Sequence, residues 1–179
     1  MRDCIMHVHD FLSRVEKIIH SEIASNFPRN WDEDFITRSL LKALCEKFGD
    51  HRIQIQLDHP LRFLPRRLYG EYVTLKWDAY KLTGSNENKF GDIAILVVAR
   101  YPDGDNVKGV AFLEAKKRYE DRGDFRAINF TQLRRIKKHA PKASVLFYDF
   151  APIYCGWYWY WNTCAVTVPI DLVIAIQKK

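Results

Sequence analysis

The sequence predicts a mixed α/β domain built on a central sheet. Three observations carry that expectation. Apolar residues recur at helical spacing over residues 4–25 and 30–48; they then alternate or run continuously in strand-length blocks between residues 52 and 117; finally a helical pattern and one more strand follow between residues 128 and 150. With 179 residues, 47% of them hydrophobic, and no Gly/Ser-rich linker, the chain is expected to form one domain over residues 1–179.

In the first helix, Ile5, Val8, Leu12, Val15, Ile19 and Ile23 form the apolar stripe. His7 and His9, two apart, point to different helix faces and read as surface histidines, not a metal pair. Pro28 breaks the pattern. The second helix carries Ile36, Leu40, Leu44 and Phe48 on one face and stops at Gly49. Asn30 with Glu33 three residues on makes a capping-box pattern at its start.

"RIQIQLD", residues 52–58, alternates as a half-buried strand should, and Pro60 and Pro65 enclose a basic loop with Arg62, Arg66 and Arg67. Residues 71–82 read as a strand and "TGSNENK" as a polar loop. A hairpin comes next: strand 92–100, the turn "YPDGDN", strand 107–117. Its runs "IAILVVA" and "VAFL" are apolar on both faces, which places them centrally. Ile128, Leu133, Ile136 and Lys137 belong to a helix ending before Pro141, and "ASVLFYDF" is a further buried strand. The aromatic, β-prone segment "CGWYWYWNTCAVTVPIDLVIAI" is expected to form strands. On a strand, Trp157, Trp159 and Trp161 would share one face; core filling or a protein interface is favoured there over base stacking.

Composition narrows the function classes. A net charge of +6 suits a polyanionic partner. The N-terminus carries acids where a signal peptide needs an apolar core, and the apolar tail is interrupted by Pro169 and Asp171. A cytoplasmic protein without a membrane partner is expected. Cys4, Cys45, Cys155 and Cys164 lack metal-ligand spacing and are expected to be buried free thiols in a reducing cytosol.

The chemistry gathers at the hairpin. Asp92 opens one strand and Glu114-Ala115-Lys116 closes the other. Alternation puts Glu114 and Lys116 on one face with Ala115 opposed. Asp92 joins them only if the loop holds an odd number of residues, three or five; a two-residue Asp-Gly turn would send it to the other face unless a bulge intervened. If they converge, two carboxylates and an ammonium sit beside an apolar core, where charges must be paired, hydrated or metal-bound. Two hard oxygen ligands suit Mg²⁺, and such a set fits metal-assisted attack of water on a phosphodiester. A cross-strand ion pair is the plainer alternative. The same tripeptide pattern at Glu87, Asn88 and Lys89 lacks the preceding buried strand and reads as a decoy.

This arrangement resembles the PD-(D/E)xK nuclease superfamily over residues 30–150. The resemblance implies a restriction-endonuclease-like core of helix, three strands, helix and strand. The N-terminal helix and the aromatic C-terminal segment are additions to it. It implies a Mg²⁺-dependent endonuclease (Mn²⁺ as substitute) acting on nucleic acid, DNA in particular. Asp92, Glu114 and the backbone carbonyl of Ala115 would bind the metal, and Lys116 would position the attacking water. Glu33 in "NWDEDFITRSLLKAL" matches a helix glutamate of many members, with helix capping as its other reading; Asp34 pairs with Arg38 instead. Gln132 in "INFTQLRRIKKH" matches a glutamine of some branches, with a solvent-facing role as its alternative. No proline precedes Asp92, a departure from the family signature. Lys117, Arg118, Arg134, Arg135 and Lys138, in a basic stretch with Lys137 and His139, are the expected nucleic-acid contacts. A second copy or a larger assembly is the further partner expected, through the aromatic segment. The alternative function is a catalytically silent nucleic-acid-binding or protein-interaction module on the same scaffold.

Overall fold

The computed structural model describes residues 5–49, 53–56, 72–101, 104–121, 123–125 and 128–177. The strands are β1 (Ile5–His7), β2 (Ile53–Gln56), β3 (Tyr72–Lys81), β4 (Ile93–Arg100), β5 (Asn106–Lys117), β6 (Ser144–Cys155) and β7 (Tyr158–Pro169). The helices are α1 (Val8–Asn26), α2 (Glu33–Leu44), α3 (Gly84–Phe90), α4 (Phe130–His139) and α5 (Ile170–Ile176). The strands form one mixed sheet in sequence order. β1–β2 and β5–β6 are parallel; every other neighbouring pair is antiparallel. The expected mixed α/β class is what the chain adopts.

Two apolar clusters make this a three-layer arrangement. On one sheet face, Ile23 of α1 and Ile36, Leu40, Leu41 and Leu44 of α2 pack with Ile93, Ala115, Leu146, Tyr148 and Phe150. On the other, Leu133 and Ile136 of α4 and Ile170, Val173 and Ile174 of α5 pack with Val145, joined by Phe90 and Phe112. Burying both faces of the inner strands is what lets charged groups at their ends be shielded from water.

Several local expectations change. The first helix begins after a short strand, at Val8. Helix α2 starts at Glu33 and not Asn30, because Asp32 is its cap: Asp32 Oδ1 accepts the N–H groups of Asp34 and Phe35, both at 3.1 Å. The capping-box reading of Glu33 therefore falls. After Leu44 the chain widens into one π-helical turn, Cys45–Gly49. "TGSNENK" is mostly helix α3, not a loop; its one large apolar residue, Phe90, stacks on Phe112 at 4.8 Å. So brief a helix depends on that docking, not on an apolar stripe. The decoy Glu87, Asn88 and Lys89 lie on it.

Strands β4 and β5 are central in the order, but the distal half of their hairpin is open: Leu96, Val107 and Val110 are exposed. The C-terminal segment forms the outer part of β6, then β7, but ends in α5 and not a strand. There Pro169 ends the pairing, and Ile170, Val173 and Ile174 recur at helical spacing and bury against α4. His7 and His9 are exposed, as expected. The basic loop with Arg62, Arg66 and Arg67 lies outside the described residues. Among the described residues, no helix is long and apolar enough to cross a membrane.

Candidate active site

Register decides the site. Ile93 pairs with Leu113 and Arg100 with Asn106, so five residues, 101–105, separate the strands. That is the odd-numbered loop that parity requires. One step beyond the Ile93–Leu113 pair, Asp92 stands across from Glu114. Gly91 makes the approach feasible: its φ is +96°, and a Cβ there would lie 2.7 Å from the Leu113 carbonyl oxygen. Only glycine fits both demands.

Past Leu113, β5 has lost β4 but keeps β6 as far as Lys117. Alternate N–H groups of a strand point to opposite edges, so those of Ala115 and Lys117 face the side that β4 has left. Carboxylates replace the missing strand. Ala115 N–H donates to Asp92 Oδ2 at 2.8 Å, and Lys117 N–H donates to Glu33 Oε2 at 3.2 Å. Glu33 reaches this edge because it opens α2, whose body packs on the adjacent core.

The charged groups interlock. Lys116 Nζ donates to the Ala115 carbonyl at 2.6 Å and to Glu33 Oε1 at 3.4 Å. It also lies 2.6 Å from Glu114 Oε1. That last approach is close but poorly directed, and neither Glu114 oxygen has a hydrogen-bond partner. Asp92, Glu114 and Lys116 are 5%, 0% and 6% exposed, so their mutual charges are little screened by water. Burial, and then the Asp92 charge, push the Glu114 carboxyl up to about 7 against the opposing pull of Lys116. Burial likewise raises Glu33, with Lys116 opposing. For Lys116 burial works against the charge, but Glu114 and Glu33 outweigh it and its pKa rises.

Lys81 was not foreseen. Its Nζ donates to Asp92 Oδ1 at 2.9 Å and lies 3.4 Å from Asp34 Oδ1. Burial opposes its charge, yet the Asp92 hydrogen bond and charge carry its pKa upward. The signal was a lysine ending a strand, paired with Ile93 and so one register step from Asp92. It becomes legible only once α3 is known to join β3 and β4 as antiparallel neighbours.

Among the described residues, no group of three or more His, Cys, Asp or Glu is arranged to hold a metal ion. The available donors are the two carboxylates and the Ala115 carbonyl. Mg²⁺ accepts such a sparse set, because it keeps several waters. The fit is supported by the fully buried Glu114 oxygens, which accept no well-directed hydrogen bond, and by the ammonium that sits on both Glu114 and the Ala115 carbonyl, where a cation would find the same oxygens.

The remaining expected residues are less concentrated. The Gln132 side chain is not in the hydrogen-bonded cluster; its backbone N–H donates to the α4 cap Asn129. Arg118 is a strut: its guanidinium donates to the Gly123 carbonyl at 2.7 Å, Asp149 at 3.0 Å and the Phe150 carbonyl at 2.8 Å. These bonds fix the guanidinium through Nε and Nη1. Lys117 Nζ donates to the Trp31 carbonyl and lies 5.4 Å from the Tyr119 ring centroid. Arg135 and Lys138 are exposed on α4, where Arg134 reaches Gln177 at 2.6 Å. Asp34 pairs with Arg38 at 2.6 Å, as expected. No protein-family model, curated protein or solved structure gives a significant match to this chain, so the meaning of the site rests on its own geometry.

Proposed function

We propose that the chain is a Mg²⁺-dependent nuclease of the PD-(D/E)xK type that hydrolyses phosphodiester bonds of DNA. The observation that carries this reading is the convergence of Asp92, Glu114 and Lys116 at the point where β4 and β5 part. The order α2, β2, β3, α3, β4, β5, α4, β6 supports it in part: with β2 and α3 interposed, it holds the expected helix, three strands (β3, β4, β5), helix and strand, the aspartate heading the second of those three and Glu-Ala-Lys ending the third.

Asp92, Glu114 and the Ala115 carbonyl would hold Mg²⁺, or Mn²⁺ in its place. When bound, the ion supplies an acidified water and neutralises charge developing on the phosphate. The chain supplies the rest. Lys116 lies against Glu114 and Glu33, from which its Nζ can orient a nucleophilic water and donate to a phosphate oxygen. Glu33 anchors both Lys116 and the backbone beside it. Lys81 holds Asp92 in place by a charge-assisted bond. Lys117 and the exposed basic residues of α4 would offset the phosphate charge.

Plasmid, linear duplex, single-stranded DNA and RNA incubated with Mg²⁺, Mn²⁺ or EDTA test the reading. Cleavage of DNA is expected with either metal. Loss of at least about a hundredfold is expected in Lys116→Ala, from removal of one electrostatic stabiliser. Cleavage that survives both EDTA and Lys116→Ala would refute the assignment. A second reading, a non-hydrolytic binding module, is favoured by one observation: the Lys116 ammonium already balances Glu114 without a metal. DNA binding without Mg²⁺ uptake by calorimetry would select it.

A further inference from the structure

The outer β6–β7 ribbon has no task in the chemistry above. Strand β6 runs parallel to β5, with Lys117 paired to Tyr148, and continues to Cys155 after β5 has ended. It turns at Gly156-Trp157 and returns paired as β7. The ribbon therefore projects from the same edge of the sheet at which Asp92, Glu114 and Lys116 meet. Its free part, five residues on the outgoing strand, reaches about 17 Å beyond the packed core.

Its composition is narrow. Six of the eight residues from Tyr154 to Trp161 are Tyr or Trp, and no charged residue occurs between Asp149 and Asp171. All six rings are exposed, Trp157 at 99%. The core-filling role expected for this stretch thus applies to its base alone. There Trp161 packs on Phe27 at 5.3 Å and Phe150 at 5.5 Å, and Trp159 stands edge-on to Trp161 at 5.3 Å. Pairing of Tyr154 with Trp159 and of Ile153 with Tyr160 gives each face of the ribbon its own rings. By alternation from the Lys116–Phe147 pair, Tyr158 and Tyr160 continue the sheet face of Glu114 and Lys116.

We propose that this ribbon is a stacking arm for unpaired DNA bases, holding single-stranded DNA at the edge that carries Asp92, Glu114 and Lys116. Beside Ala151 and Pro152, Ile153 is the one branched aliphatic residue of the free part, so aromatic rings supply nearly all of its side-chain surface. Each ring offers a π-face on which any base can stack. The absence of carboxylates leaves nothing to repel the phosphates, in a chain whose net charge is +6. The packed base of the arm sets its inner rings in advance, which reduces the ordering cost of binding. Delivery to the catalytic edge rests on the nuclease reading; the stacking does not.

The test is titration of labelled oligothymidine in EDTA, followed by anisotropy and tryptophan quenching. Trp157→Ala/Trp159→Ala is expected to weaken binding about tenfold per ring removed. The Phe pair at these positions should retain most of the affinity, and the Leu pair should behave like the Ala pair. Indifference of the Ala pair, or rescue by the Leu pair, would overturn the proposal. So would tighter binding of the matching RNA oligomer. A dimer in light scattering that the Ala pair dissociates, or binding to phosphatidylglycerol vesicles in preference to DNA, would assign the arm to a different partner and overturn it equally. No readout depends on cleavage. An inert protein with ring-dependent binding removes the nuclease reading alone, and a cleaving protein with indifferent tryptophans removes the arm alone.

Discussion

Replacing Glu114 by Gln should make the metal-free protein more stable at alkaline pH. The carboxyl has an ordinary pKa of 4.5 in the unfolded chain and about 7 in the folded one. Between those values the folded state keeps a proton that the unfolded state has released, so stability falls as pH rises through this window. Below it the contribution is fully present; above it the contribution is lost. The difference corresponds to about 3 kcal/mol at 1.36 kcal/mol per pKa unit. Glutamine resembles the protonated acid and does not titrate. The variant and the parent should therefore differ little at pH 4.5, and the variant should gain about 3 kcal/mol on the parent by pH 8. For a chain of this size that corresponds to roughly 6–12 °C in Tm. Glu33 is raised in the same direction and is present in both proteins, and Lys116 links it to Glu114, so the comparison reads Glu114 together with its coupled neighbours. Urea unfolding at pH 4.5, 6 and 8 in EDTA reads the effect directly. Adding Mg²⁺ at pH 8 should restore the parent and leave the variant unchanged. A constant difference across pH, or a variant that loses ground as pH rises, would refute the account of the buried carboxyl.

Gly91→Ala should combine strain at φ +96° with a Cβ 2.7 Å from the Leu113 carbonyl, destabilise the fold by more than about 1 kcal/mol, and abolish cleavage; wild-type Tm and activity would contradict the close-approach argument. Lys81→Met should leave Asp92 Oδ1 without its cation, costing about 1.5–3 kcal/mol in urea unfolding and weakening Mg²⁺ uptake; an unchanged calorimetric titration would exclude a positioning role. Trp31→Phe removes the indole N–H that donates to the Arg118 carbonyl at 2.8 Å, and about 1–3 kcal/mol of stability should go with it. Thr37→Val breaks the buried 3.0 Å bond to the Tyr148 hydroxyl, with a similar loss measured by the same denaturation.

The gathering of charged groups at the hairpin was partly legible because it depends on parity. The two apolar strands can be read from residue types, but the odd loop that brings Asp92 and Glu114 together was only a condition, met once the register left five residues between β4 and β5. Lys81 was not legible, since its contact depends on β3 lying beside β4, across a helix whose composition reads as a loop. The capping of α2 was misread because Asn30 and Asp32 are both acceptable caps; the chain from Pro28 to Trp31 decides between them, with Trp31 held by the Arg118 carbonyl. Arg118 looked like a phosphate contact for the same reason. A guanidinium beside the candidate site gives no sign in sequence that Gly123 and Phe150 will claim it. The aromatic segment could be assigned to strands, but its exposure follows from β6 outrunning β5, which composition does not encode.

Where β4 peels away, the sheet acquires an internal seam along β5, and such a seam would ordinarily invite an intruding peptide to zip in by backbone pairing. Asp92 and Glu33 forestall this by claiming the very amides that a foreign strand would need. The gap thus stays shut to polypeptide, and swapping either acid for a residue that cannot accept these bonds should leave the molecule prone to clumping as well as inert.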